Sequence, residues 1–184
     1  MKIVTCIKQV PDTTQVTVDP ETGTLVREGV PFIINPFDTH ALEESLRLKE
    51  KYGLRVTAIS MGPPDAQETL RHALSLGIDE VVLLSDRAFA GADTWATRAV
   101  LAEAIQRLSQ KEEVIMVLCG KQTIDGDTAQ VGPGIASRLN YYQLTLVDHI
   151  AEVDLKAKRI RVRRKLEGRH EVVETPLPAM VAVV

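Results

Sequence analysis

The stretch best suited to chemistry runs Gly120-Lys121-Gln122-Thr123-Ile124-Asp125-Gly126-Asp127-Thr128-Ala129-Gln130-Val131-Gly132-Pro133-Gly134. It sets four glycines, two acids, two threonines and two glutamines between an apolar run and a helical pattern. Glycine lets a backbone approach a ligand closely, and a helix N-terminus presents unpaired amide hydrogens to an anion such as a diphosphate. The hydroxyls of Thr123 and Thr128 and the amides of Gln122 and Gln130 offer hydrogen bonds without adding negative charge. Asp125 and Asp127 would repel a phosphate, so they are expected to cap the helix, hold the loop or reach a ribose. Composition leaves two readings open: a nucleotide-binding loop, or a long helix-capping connection. Neither a Gly-x-Gly-x-x-Gly fingerprint nor a Walker lysine loop is present.

Other reactive side chains form no constellation. Cys6 and Cys119 are the only cysteines, each near the end of an apolar run, where a thiol reads as a small buried hydrophobe rather than a redox or metal group. His40, His72, His149 and His170 are scattered and read as surface or packing residues, so no metal-ligand spacing arises. The net charge of -3 argues against nucleic acid as a partner, because that affinity needs a basic surface. No apolar run reaches the roughly 18 residues of a membrane span, and the first residues lack a signal-peptide pattern. A cytoplasmic protein without membrane insertion is the expectation.

The elements that must position the glycine-rich loop follow from hydrophobic patterning. With 184 residues, 45% hydrophobic and 26% charged, the chain is sized for one α/β domain over residues 1–184. Apolar runs rich in β-branched residues at 2–8, 56–61, 80–84 and 114–119 read as buried parallel strands. Between them fall helices. The first starts at Asn35-Pro36-Phe37-Asp38, an N-cap, a proline at the first helical position and an acid in the first turn; it carries Ala41, Leu42, Ser45, Leu46 and Lys49 at helical spacing and stops at Gly53. A second opens on a capping-box-like Asp65 and Glu68, with Leu70, Ala73 and Leu74 inward. A third covers about 94–108 with Ala96, Val100, Ala104, Ile105 and Leu108 as its stripe, and a fourth follows Gln130. Alternating strands and helices imply a doubly wound, mostly parallel sheet.

Two segments break the alternation. Residues 16–27, centred on Asp19-Pro20-Glu21-Thr22-Gly23, read as a small inserted hairpin, and residues 148–184 as an antiparallel β region turning at Glu167-Gly168-Arg169. There Ile160 and Val162 alternate with basic residues, first as a solvated strand face and second as a docking surface. Open α/β sheets bind ligands beyond the carboxyl ends of strands where strand order reverses. For an order beginning 3-2-1-4, that directs attention to the loops after Lys8 and Cys119.

At this point the residues resemble a known family. Gly120 to Arg138 is similar to the signature of electron-transfer flavoprotein beta subunits: a Gly-Lys-Gln opening, Asp-x-Asp, Gln-x-Gly and a helix. Lys8-Gln9-Val10-Pro11-Asp12, Asn35-Pro36-Phe37-Asp38 with the helix after it, Ser60-Met61-Gly62-Pro63 and Thr175-Pro176-Leu177-Pro178-Ala179 also resemble family motifs, in order along the chain.

The resemblance implies a fold of the adenine-nucleotide-hydrolase-like type, an alpha-subunit partner holding a flavin, and a second adenine nucleotide in this chain's crevice. That nucleotide is AMP in some members and, in bifurcating members, FAD that accepts electrons from NADH. Carried onto this sequence, the site comprises Cys6, Asn35, Pro36, Phe37, Asp38, Met61 and the loop from Gly120 to Val131. Asp125-Gly126-Asp127-Thr128 and Asp93-Thr94-Trp95-Ala96-Thr97 resemble the bifurcating subfamily, which adds Thr94 and Thr97 and favours FAD over AMP, although Asp93 and Thr94 also read simply as a helix cap. A dehydrogenase or oxidoreductase would be the redox partner. Family members continue beyond the Leu-Pro-Ala strand into an arm that wraps the alpha subunit, whereas this sequence stops at Val184. Apolar surface meant for that subunit is therefore expected to be exposed. Two rival readings, an ATP pyrophosphatase-like enzyme and a stress-type ATP-sensing module, lack their phosphate loops here.

Overall fold

The computed structural model describes residues 1–12 and 31–184, together with the backbone of two short strands at 17–18 and 25–26. Five parallel strands form the centre: β1 (Lys2–Cys6), β6 (Arg55–Met61), β7 (Glu80–Leu84), β8 (Val114–Gly120) and β12 (Ala179–Val183). Short strands β2 (Gln9–Pro11) and β5 (Phe32–Ile34) pair antiparallel beside them, as do β3 (Thr17–Val18) and β4 (Leu25–Val26). The last pair agrees with the inserted hairpin, while its Asp19 to Gly23 tip lies outside the described residues. Helices α1 (Pro36–Tyr52), α2 (Gln67–Ser75), α3 (Thr94–Lys111) and α4 (Val131–Leu139) cross between strands, and β9 (Tyr142–Asp154), β10 (Arg159–Leu166) and β11 (Arg169–Pro176) complete the sheet.

Sheet order is β11-β10-β9-β12-β8-β1-β6-β7 among the described residues. Reading β7-β6-β1-β8 as the third, second, first and fourth major strands gives the anticipated reversal between β1 and β8. Apolar residues of α1 and α2, such as Leu42 and Leu70, pack with Ile3 and Leu118 on one face. Ile105 of α3 and Ile135 of α4 pack with Val4 and Val117 on the other. Central strands buried on both faces must be apolar at successive positions, which is why they read as continuous runs.

Several local expectations are corrected. Asn35 occupies the N-cap position of α1, but its side chain makes no capping bond. Asp65 and Glu68 form no capping box, because Asp65 sits in a 3₁₀ turn (Pro64–Ala66) and α2 begins at Gln67 without a side-chain cap. Leu74 is exposed; Thr69, Leu70 and Ala73 carry the contact. In α3 the fully buried residues are Leu101, Ala102, Ile105 and Leu108, leaving Ala96 and Val100 half-exposed. Gly53 does end α1 in the left-handed conformation (φ 66°), donating its N–H to the Lys49 carbonyl.

The expectation of an antiparallel region over 148–184 is corrected at both ends: β12 pairs parallel with β8 and β9, and β9 begins at Tyr142 and turns antiparallel only against β10, from Val147 on; β9 escaped notice for a physical reason. Its buried residues Leu144, Val147, Ile150 and Val153 recur every third position, which is not a strand period. Val147, Ile150 and Val153 face Arg164, Val162 and Ile160 at spacing two, and register shifts in the β9–β10 ladder absorb the extra residues, while Leu144 pairs with Val181 of β12. Bulges of this kind restore a common inward face. Leu146, at φ 58°, lies in the register shift between β9 and β12. The outward basic residues form a charged ladder, with Arg159 on Glu174, Arg161 on Glu152 and Arg163 on Asp148, in accord with the solvated-face reading.

Leu118 is fully buried in the central strand. Leu118→Ala should leave a cavity and lower stability by about 2–5 kcal/mol in urea unfolding. A loss below about 1 kcal/mol would show that β8 is not packed in this way.

Candidate functional site

Where β1 and β8 part, a carboxylate fills the fork. Asp38, in the first turn of α1, accepts the Lys8 N–H on Oδ2 (2.8 Å) and the Gly120 N–H on Oδ1 (3.0 Å). Those amides lie just past the end of β1 and at the last residue of β8, so one side chain joins the two strands flanking the switch point. Gly120 is obligatory here because a Cβ would lie 2.5 Å from the Phe37 carbonyl carbon and 2.6 Å from Asp38 Oδ1.

Asn35 uses its amide on the loop instead of its own helix. It donates to the Gln122 carbonyl (2.8 Å) and accepts from the Ile124 N–H (3.2 Å). Further ties hold the loop: the Lys8 ammonium meets Asp125 (2.6 Å), Gln122 donates to Asp127 (2.6 Å), and the Thr94 hydroxyl donates to the Gln130 side chain (3.2 Å). Asp127 and Ala129 both adopt left-handed backbone (φ 50° and 53°), uncommon for residues with a Cβ and a sign that the loop's path is imposed by these contacts.

Above the fork opens a crevice of about 950 Å³, at the upper end of the range for small-molecule sites. Of the sequence-derived residues, Cys6, Asp38, Met61, Thr94, Thr97, Gly120, Lys121, Gln122, Thr123, Gly126, Thr128, Ala129, Gln130 and Val131 line it. Asn35, Pro36, Phe37, Ile124, Asp125 and Asp127 are outside the lining, and Asn35, Asp125 and Asp127 brace the loop from behind. The sequence reading missed Lys8, Gly62 to Pro64, and the wall from Ser85 to Asp93. That wall follows β7, so the rule that ligands gather beyond strand carboxyl ends could have found it.

Apolar Met61 and Leu101 and the two buried thiols line the crevice together with the N-termini of α3 and α4, Lys121 and Arg87. Asp93 caps α3 by accepting the Ala96 N–H (2.8 Å). Two helix N-termini at one crevice favour an anion, and the apolar side chains suit a flat ring. This donor set fits an adenine nucleotide.

Burial disfavours the ionised form of both thiols. Burial, with a smaller contribution from Asp38, pushes Cys6 up to about 12, and burial also pushes Cys119 well above the ordinary thiol value. Burial pushes Asp38 up to about 7 even though the Lys8 and Gly120 amides favour its ionised form. Burial acts in the same direction on Asp125, but hydrogen bonds from Lys8 and Thr123 and the Lys8 charge outweigh it and hold Asp125 below the usual carboxylate range.

These features define a doubly wound α/β protein with a ligand-sized crevice at its topological switch point. Residues 22–184 match the electron transfer flavoprotein domain, and the chain belongs to that family. It is 52% identical to Protein FixA of Azotobacter vinelandii over 183 residues, all of this chain and 65% of that protein. It is 50% identical to the electron transfer flavoprotein subunit beta of Thermoanaerobacterium thermosaccharolyticum and 49% identical to the caffeyl-CoA reductase-Etf complex subunit CarD of Acetobacterium woodii, covering 68% of each. The chain thus spans about two thirds of the length of these relatives. Among the described residues no helix is long and apolar enough to cross a membrane.

Asp38 gives the crevice a pH signature. With a folded value raised to about 7 and an ordinary unfolded one, its stabilising contribution is full below about pH 4, declines as pH rises and is gone above about pH 7. The stability of wild type minus that of Asp38→Asn should therefore fall by on the order of 2–4 kcal/mol between pH 4 and 7 and then level off. Urea unfolding across that range checks it; a flat difference would mean that the buried carboxylate titrates normally.

Proposed function

We propose that this chain is the nucleotide-holding core of the beta subunit of a heterodimeric electron-transfer flavoprotein, carrying FAD in its crevice and working only with a flavin-holding alpha subunit. The observation that carries this reading is the crevice at the β1/β8 switch point, lined by two helix N-termini. Names of the relatives support it: a subunit beta in one case and a subunit of an Etf complex in another. A volume of about 950 Å³ favours FAD over the smaller AMP. NADH as electron donor and a dehydrogenase or oxidoreductase as redox partner complete the proposal for the assembled protein.

When bound, the flavin supplies the electron transfer; the chain supplies binding, orientation and polarity. Met61 and Leu101 exclude water from a flat ring. Thr128, Gln130 and the amides opening α4 meet a diphosphate, with Lys121 and Arg87 balancing its charge, while Asp125 stays occupied by Lys8 and away from the phosphates. No nucleophile or general base is needed, and neither thiol is ionised to serve as one.

Denaturing the protein purified with its alpha subunit and identifying the released nucleotide tests the proposal, with FAD expected in addition to the flavin of the alpha subunit. AMP in its place would assign a structural role to this crevice, and no second nucleotide would overturn the reading. Thr128→Val should weaken nucleotide retention by about tenfold to a hundredfold, the loss of one hydrogen bond to a charged group, with little change in unfolding. Full retention under competition would make the loop merely structural.

A further inference from the structure

The first half of α3 turns one face to the crevice, through Thr94 and Thr97, and carries Trp95 on another. No residue from 94 to 100 is fully buried, whereas the second half of the helix carries the core contacts. Trp95 is 63% exposed at the start of this half. The Arg98 guanidinium lies 3.9 Å from the centroid of its ring, and that of Arg138, on α4, lies 5.2 Å away. Gly134 makes room for the arrangement, since a Cβ there would come within 2.1 Å of Arg98 Cδ.

Neither guanidinium meets a carboxylate among the described residues, although Arg159, Arg161, Arg163 and Arg164 each do. The Nε of Arg98 is buried without any hydrogen-bond partner. An indole stacked with arginine is already rigid, so little side-chain freedom is lost when a partner covers it, and Trp and Arg dominate the energetics of interfaces. The Arg98 Nε is enclosed, but the exposed Arg138 guanidinium and the Arg98 charge beside it are left without a counter-charge among the described residues, and a carboxylate is the complement that fits them. Thr94 and Thr97 line the crevice while Trp95 does not, so this platform is separate from the nucleotide site.

We propose that Trp95, Arg98 and Arg138 form a docking platform for an acidic segment of the flavin-holding partner subunit, which seats a carboxylate on the two guanidiniums and covers the indole. The identity of that partner rests on the function proposed above. Half-buried Ala99, one helical turn after Trp95, extends the platform with small apolar surface, so the partner segment places an apolar side chain next to its acid.

Trp95 is the sole tryptophan of the chain, which gives a direct readout. The protein carrying 5-fluorotryptophan is titrated with unlabelled partner subunit, and the Trp95 fluorine resonance, assigned by its loss in Trp95→Phe, is followed together with the affinity of the complex. Complex formation should shift the resonance and remove its sensitivity to exchanging water for deuterium oxide. Arg138→Glu should weaken assembly by at least about tenfold at low salt, with the gap narrowing at high salt. Trp95→Ala should also weaken assembly, and both variants should retain the nucleotide of the crevice. An unmoved resonance, or an Arg138→Glu complex as tight as wild type, overturns the platform. Nucleotide content is measured on the same samples, so failure of the nucleotide assignment is seen separately.

Discussion

The Asp38 carboxylate in the fork between β1 and β8 is the constraint on which the site depends. Adjacent parallel strands whose crossovers leave in opposite directions must separate, and their last amides then lose ladder partners in a dry interior. Asp38 answers both amides at once, with one oxygen for Lys8 and one for Gly120. Unpaired, each buried amide would be destabilising by about 1–3 kcal/mol. The closeness of this contact leaves no space for a Cβ at position 120, so the glycine that opens the loop and the acid that begins α1 require one another.

From that fork the loop's shape follows. Asn35 precedes the helix that carries Asp38, and its side chain grips the loop from behind, setting the path of Gln122 to Ile124. Lys8, whose amide is held by Asp38, sends its ammonium across to Asp125. Acidic residues that would oppose a phosphate are thus turned into braces. The crevice is left with helix N-termini, hydroxyls, Lys121 and Arg87 in its lining. Polar groups committed to structure and polar groups facing the cavity are sorted within a dozen residues.

Much of this was legible in the sequence. Continuous β-branched runs identified four of the parallel strands, of which β7 proves to be a half-buried edge strand rather than a buried one; the Asn-Pro start and Gly53 stop bounded α1, and the glycine-rich loop marked the switch point. Other features were not. Alternation failed for β9, where bulges turn a three-residue spacing into one inward face. Capping patterns misled at Asn35 and at Asp65, because a short polar side chain serves a helix end or a distant loop equally well and only its surroundings decide. The wall after β7 carries no motif and lines the crevice through position alone.

What the sequence by itself determined is the class of fold, the alternation of its first strands and helices and the loop at its centre, since these follow from periodicity and composition within single segments. Tertiary structure alone decided which acid is buried, which is paired and which backbone amides it holds. Asp38, Asp125 and Asp127 are the same residue type, yet one is pushed up to about 7 by burial and another is held low through Lys8. The third accepts a hydrogen bond from Gln122. Desolvation and pairing depend on atoms brought together from distant parts of the chain, and no local pattern encodes those distances.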